Sequence, residues 1–177
     1  SSKEKKETDL SYDNFSSLYE DYSNFIGNMS PKNKFFIDKM PTNFLWVGII
    51  NKLFPNPKII HVTRNPMAVV WSNYKHFFSS KELSFSNSLD DILLYFKAYK
   101  SLMDFWKEHL DQAIFEINYE QLTNDPEKET ANLLKYCSLD WEDTCLTFYK
   151  NDTLIETASR AQVRQPIYRG SSKEWQA

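Results

Sequence analysis

Two residues close to the middle of the chain suggest an oxyanion seat. Arg64 closes the run Lys58-Ile59-Ile60-His61-Val62-Thr63 and is followed at once by Asn65-Pro66. Asparagine caps helices well, and proline at the first helical position gives up no useful donor, so a helix begins here. A guanidinium fork beside a helix N-terminus attracts anions through both its donors and the helix dipole. Ser72, eight positions on, can turn its hydroxyl toward the same anion. Together they form a phosphate seat in which each charge-assisted hydrogen bond contributes roughly 1.5–3 kcal/mol. The plainer alternative pairs Arg64 with a surface acid and leaves Ser72 facing water. Lys39, with Asp38, follows another apolar run, Phe35-Phe36-Ile37, and can stabilise charge developing on a leaving or bridging oxygen, or simply pair with Asp38. Four cations (Arg160, Arg164, Arg169 and Lys173) against one acid, Glu174, make Ser159–Trp175 a basic segment able to close over a polyanion, or a solvated tail.

These residues need rigid elements to hold them. Apolar residues at three- and four-residue spacing predict an amphipathic helix from Leu10 to about Gly27. Phe35-Phe36-Ile37 predicts a short buried strand, and Thr42-Asn43 offer caps for a helix through Leu53-Phe54, which Pro55-Asn56-Pro57 ends. The β-branched run before Arg64 predicts a strand buried on both faces. Helices are expected from Asn65-Pro66 to about Phe78, from about Ser88 to Leu110, from Asp125-Pro126 to about Cys137, and from Trp141 to Tyr149. A third strand spans Ala113 to Tyr119. Strands separated by helices require crossover connections, hence an α/β fold with a parallel sheet flanked by helices. Ligands of such sheets sit beyond the carboxyl ends of the strands, which places Lys39, Arg64 and Tyr119 at the positions to inspect. Residues 1–9 read as a frayed polar end, and residues 10–177 as one domain.

Composition narrows the partners. The chain has 177 residues, 41% hydrophobic and 16% aromatic, enough for one packed core. A net charge of −3 argues against bulk binding to nucleic acid or an anionic membrane surface. The longest apolar run, Phe44 to Ile50, is far below the roughly 20 residues that span a bilayer. Cys137 and Cys145 read as two reduced thiols in a cytoplasmic protein. His61, His76 and His109 have no metal-ligand spacing, so no metal is expected. Only three glycines occur, Gly27, Gly48 and Gly170, and none forms a phosphate-binding glycine loop.

Taken together, several separated motifs resemble one family. Ile37-Asp38-Lys39-Met40-Pro41-Thr42-Asn43-Phe44, Leu53-Phe54-Pro55-Asn56, and Ile60-His61-Val62-Thr63-Arg64-Asn65-Pro66 with Ser72 look like the central part of sulfotransferases that use 3′-phosphoadenylyl sulfate (PAPS). Asn118-Tyr119-Glu120-Gln121-Leu122 and the Ser159–Trp175 tail agree in order and spacing. The likeness is to tyrosylprotein sulfotransferases and to bacterial proteins carrying this domain behind tetratricopeptide repeats. It implies a P-loop NTPase-like α/β fold and transfer of a sulfuryl group to an acceptor hydroxyl on protein tyrosine, carbohydrate or a small molecule. Arg64 and Ser72 would hold the 3′-phosphate of PAPS or of its product 3′,5′-adenosine bisphosphate. Tyr119 would contact the nucleotide, Ser159, Gln162 and Lys173 would close over it, and Lys39 would be catalytic, stabilising the bridging oxygen.

The departures matter as much. The family's glycine-, serine- and threonine-rich loop for the 5′-phosphosulfate has no counterpart here, nor does the carboxylate base that lies with it. Where cytosolic members place a histidine after the strand-end lysine, Met40-Pro41 stands, and a further arginine of tyrosylprotein sulfotransferases is His76. The resemblance therefore implies the C-terminal portion of such a domain, holding the 3′-phosphate half of the donor site and inactive alone. Rival readings are a non-catalytic nucleotide- or protein-binding module of the same fold, and a phosphoryl-transferring relative, for which no Walker-type loop speaks. Trp71, Phe77, Phe78 and Phe85 either border an acceptor pocket or fill the core.

Overall fold

The structure is a computed structural model that describes residues 12–29, 35–76, 81–110, 113–151 and 164–176. It divides into two compact units, residues 1–57 and 58–177. In the first unit, helix α1 (Tyr12–Met29) has the predicted amphipathic spacing, and α2 (Val47–Leu53) follows a 3-10 turn at Asn43–Leu45. A tilted contact of Tyr19 and an edge-on contact of Tyr22 with Phe54, at centroid distances of 5.6 and 5.5 Å, join the end of α2 to α1. Two expectations fail here. Thr42 makes no side-chain cap, so one continuous helix is replaced by a turn and a shorter helix. Phe35–Ile37 forms no strand, and Ile37 is 87% exposed, because an extended apolar run becomes a strand only when a neighbour completes its ladder.

The second unit is built on two parallel strands, β1 (Ile59–Thr63) and β2 (Ile114–Asn118). Between them run α3 (Pro66–Lys75) and α4 (Leu89–Leu110), the crossover that parallel pairing requires. The caps agree with the sequence: Asn65 Oδ1 accepts from the Ala68 amide at 3.2 Å, and Asp125 Oδ1 accepts from Lys128 N at 3.3 Å at the head of α6 (Pro126–Cys137). A short helix, α5 (Tyr119–Asn124), fills the space between β2 and α6 and was not foreseen in the sequence. Its cap is Asn118, which ends β2 and accepts from Gln121 N at 2.9 Å. Ala68, Val70, Ile92, Met103 and Ile117 form the buried core between sheet and helices. Tyr136 on α6 donates to the carbonyl of Ala113 at 2.7 Å and stacks on Phe115, fixing α6 to β2.

Two further expectations are corrected. β1 is not buried on both faces: Ile60 and Val62 are exposed, while Ile59, His61 and Thr63 are half-buried. Trp141–Tyr149 is not a helix but two 3-10 turns, Asp143–Cys145 and Phe148–Lys150, since its backbone bonds close at three residues rather than four. Cys137 and Cys145 are free, half-buried thiols. No helix among the described residues is long and apolar enough to cross a membrane.

Candidate functional site

Strand register creates the site. Thr63 lies opposite Asn118, so the next residues, Arg64 and Tyr119, leave the sheet side by side at its carboxyl edge. The Arg64 guanidinium carbon sits 4.8 Å from the Tyr119 ring centroid, a cation–π contact that holds the fork over the ring face. The tail then closes on both residues. Arg64 Nε donates to Ser172 Oγ at 3.1 Å, and the Tyr119 hydroxyl is bonded to Ser171 Oγ at 2.9 Å. Among the described residues Ser172 is the hydrogen-bond partner of Arg64, and its two Nη groups donate to none of them.

Glu120 completes the arrangement. Its Oε1 accepts from Ser172 Oγ at 2.5 Å and from the Asn65 backbone N–H at 3.0 Å. Partial burial pushes the Glu120 carboxyl up, but the bonds from Ser172 and the Asn65 amide, with the nearby Arg64 charge, outweigh it and leave the group below the usual carboxylate range. It is therefore ionised at neutral pH. The tail is pinned twice more: Arg169 donates to the carbonyls of Thr123 and Asn124 at 3.2 and 2.6 Å, and Lys75 on α3 pairs with Glu174 at 2.8 Å. Gly170, between these contacts, takes φ +100°, a conformation L side chains rarely adopt.

The residues singled out in the sequence fall into three groups. Arg64 and Tyr119 meet directly. Ser72 lies half-buried on α3, two turns beyond Arg64, with its carbonyl accepting from the His76 ring at 2.7 Å. Lys173 is exposed and its backbone N–H closes a turn onto Gly170 at 2.9 Å, so the tail's contacts with the strand ends come from Ser171 and Ser172 instead. Ser159 and Gln162 lie outside the described residues. Lys39 belongs to the first unit, on exposed chain. The alternative that it pairs with Asp38 does not hold: among the described residues Asp38 accepts from Tyr22 Oη at 2.5 Å and Asn43 Nδ2 at 3.4 Å. Burial and that carboxylate push the Tyr22 hydroxyl up to about 12.

Glu120, Ser171 and Ser172 were not singled out from the sequence as site residues, and Arg169 was read only as one cation of the Ser159–Trp175 segment. Glu120 carried two available signals, its place next to Tyr119 at a strand end and its position in the Asn118–Leu122 motif. Nothing in the sequence joins Ser172 to Arg64, 108 residues earlier. Of the aromatic residues, Phe85 stacks on Tyr95 at 4.0 Å, Trp71 is exposed, and Phe77 and Phe78 lie outside the described residues. A second cluster joins β1, β2 and α4. His61 Nε2 bonds to the Tyr99 hydroxyl, Glu116 Oε2 lies 3.3 Å from His61 Nδ1, and Lys107 pairs with Glu116. Burial holds the His61 ring below its ordinary pKa, with Glu116 opposing and Lys107 assisting.

Comparison with known proteins bears on the family and the fold. The chain is 36% identical over 156 residues to an uncharacterized protein of Aquifex aeolicus (strain VF5), covering 87% of this chain and 20% of that protein. Its structure is similar to the sulfotransferase domain from the Synechococcus PCC 7002 olefin synthase, with a TM-score of 0.66 and 20% identity, over 90% of this chain and 57% of that one. The chain thus spans about a fifth of the first relative and somewhat more than half of the second. At that identity the second likeness bears on the fold, which is the α/β fold of a sulfotransferase domain. A model described as the sulfotransferase family matches residues 2–143, ending ahead of the tail. With four-fifths of its length matched, the chain belongs to the sulfotransferase family.

Proposed function

We infer that this chain holds the 3′-phosphate part of a donor site for PAPS, and that the protein moves the sulfuryl group to an acceptor hydroxyl. The observation that carries the reading is the posture of Arg64. It is anchored through Nε and its π face at the head of α3, while its Nη edge donates no hydrogen bond to a described residue, although its charge acts on the carboxylates of Glu120 and Glu174. Two parallel N–H donors at a helix N-terminus suit a phosphate monoester. Ser72 would add a hydroxyl, Tyr119 a surface for the nucleotide, and Ser159, Gln162 and Lys173 the closing segment. The donor supplies an activated sulfuryl group, whose transfer needs oriented cations more than covalent chemistry. Lys39 would supply one of these at the bridging oxygen, and no metal is required. The acceptor is a protein tyrosine, a carbohydrate or a small molecule, in a cytoplasmic protein whose longer form carries tetratricopeptide repeats. The test is calorimetric titration of 3′,5′-adenosine bisphosphate into the chain. Arg64→Ala and Ser72→Ala should each weaken binding by about tenfold or more. Binding unchanged in both variants would overturn the reading.

A further inference from the structure

Resting on that donor-site reading, we propose that Glu120 is a positioning residue that sets the orientation of Arg64 through Ser172. Ser172 has one proton, and it goes to the Glu120 carboxylate at 2.5 Å. The lone pairs of Oγ are thereby left to accept from Arg64 Nε at 3.1 Å. The same carboxylate oxygen takes the Asn65 N–H at 3.0 Å, so it is itself fixed to the residue that follows Arg64 and caps α3. The sequence carboxylate, hydroxyl, guanidinium runs in one direction only. With Nε committed, the Nη edge is what remains for a ligand, and rotation about the last side-chain bonds is restrained. Glu120 joins three separate pieces of chain: the end of β1, the start of α5 and the tail.

A carboxylate beside an anion seat also repels the anion, so charge and geometry must be separated experimentally. Glu120→Gln and Glu120→Ala remove the same charge, but only alanine removes the acceptor. Titrations of the chain with 3′,5′-adenosine bisphosphate and with 5′-AMP, which lacks the 3′-phosphate, read the difference. The glutamine variant should bind the bisphosphate within about threefold of the wild type. The alanine variant should bind it about tenfold more weakly than the glutamine variant, with 5′-AMP affinity equal in the two. Equal bisphosphate affinity in both variants overturns the proposal, as does a loss in the alanine variant that is the same for both nucleotides. Should Glu120→Ala fail to fold, Ser172→Ala, which keeps every charge, carries the test. A tenfold loss confined to the bisphosphate supports the proposal, and no loss overturns it. A wild-type chain that binds neither nucleotide removes the donor-site reading and this role together. A wild type that prefers the bisphosphate, with variants that keep the preference, removes this role alone.

Discussion

Arg64 and Tyr119 leave adjacent parallel strands one step beyond a matched pair, Thr63 and Asn118, and the guanidinium lies over the phenol ring at 4.8 Å. Neither strand contributes a charged side chain to this corner from its interior. The contact exists because two five-residue strands end in register, and it is the smallest unit from which the rest of the corner is built.

The two attributes of Tyr119 are separable. Tyr119→Phe keeps the ring under Arg64 and loses the bond to Ser171, which should cost about 1 kcal/mol in urea denaturation. Tyr119→Leu also loses the cation–π contact and should cost a further 0.5–1 kcal/mol, approximately. Equal losses in the two variants would show that the ring contributes nothing.

Stability should fall on mild acidification because of His61. Its folded-state pKa is held below the unfolded value by burial, so above about pH 6.5 both states are neutral and stability is flat. Below that, the unfolded chain binds a proton that the fold resists, and stability drops by at most about 1.4 kcal/mol per pH unit for this group. Tyr99, Glu116 and Lys107 face the ring; Glu116, itself lowered despite burial by Lys107 and His61, begins to contribute its own loss only below its unfolded pKa of about 4.5. Denaturation midpoints at pH 8, 7, 6 and 5.5 should bend downward below 6.5. In His61→Gln the bend should disappear.

The tail should depend on Arg169. Its guanidinium takes two carbonyls at the end of α5, groups that no intrahelical donor reaches. In Arg169→Ala the amide of Lys173, bonded to Gly170 O at 2.9 Å, should exchange with solvent about tenfold faster, while amides in the middle of α4 stay as they were. Unchanged exchange at Lys173 would mean that Ser171 and Ser172 alone hold the segment.

A stabilising change is available at the end of α6. Ser138 caps the helix in the left-handed region, φ 56°, with its amide bonded to the Lys135 carbonyl at 3.1 Å. A side chain costs energy there that glycine does not, so Ser138→Gly should raise stability by about 0.5–1 kcal/mol in thermal or urea unfolding. A loss of stability would show that the serine side chain has a compensating role.

What the sequence determined by itself was local. The caps at Asn65 and Asp125, the prolines that follow them, the β-branched run before Arg64 and the spacing of α1 and α4 are each set by interactions within a few residues, and each appears where expected. Arg64 and Tyr119 were legible as residues at the carboxyl ends of strands because strand ends can be read from such runs. Tertiary structure decided the rest. Whether Phe35–Ile37 becomes a strand, and whether β1 is covered on one face or two, depends on neighbours that no local pattern names. The surroundings of Arg64 depend on chain closure: Ser172 bonds to it from 108 positions away, and Glu120, 56 positions away, acts on it through Ser172, across a register fixed only when β1 and β2 pair. Local propensity specifies which residues stand at the corner; the pairing of two strands and the return of the tail specify what each of them touches.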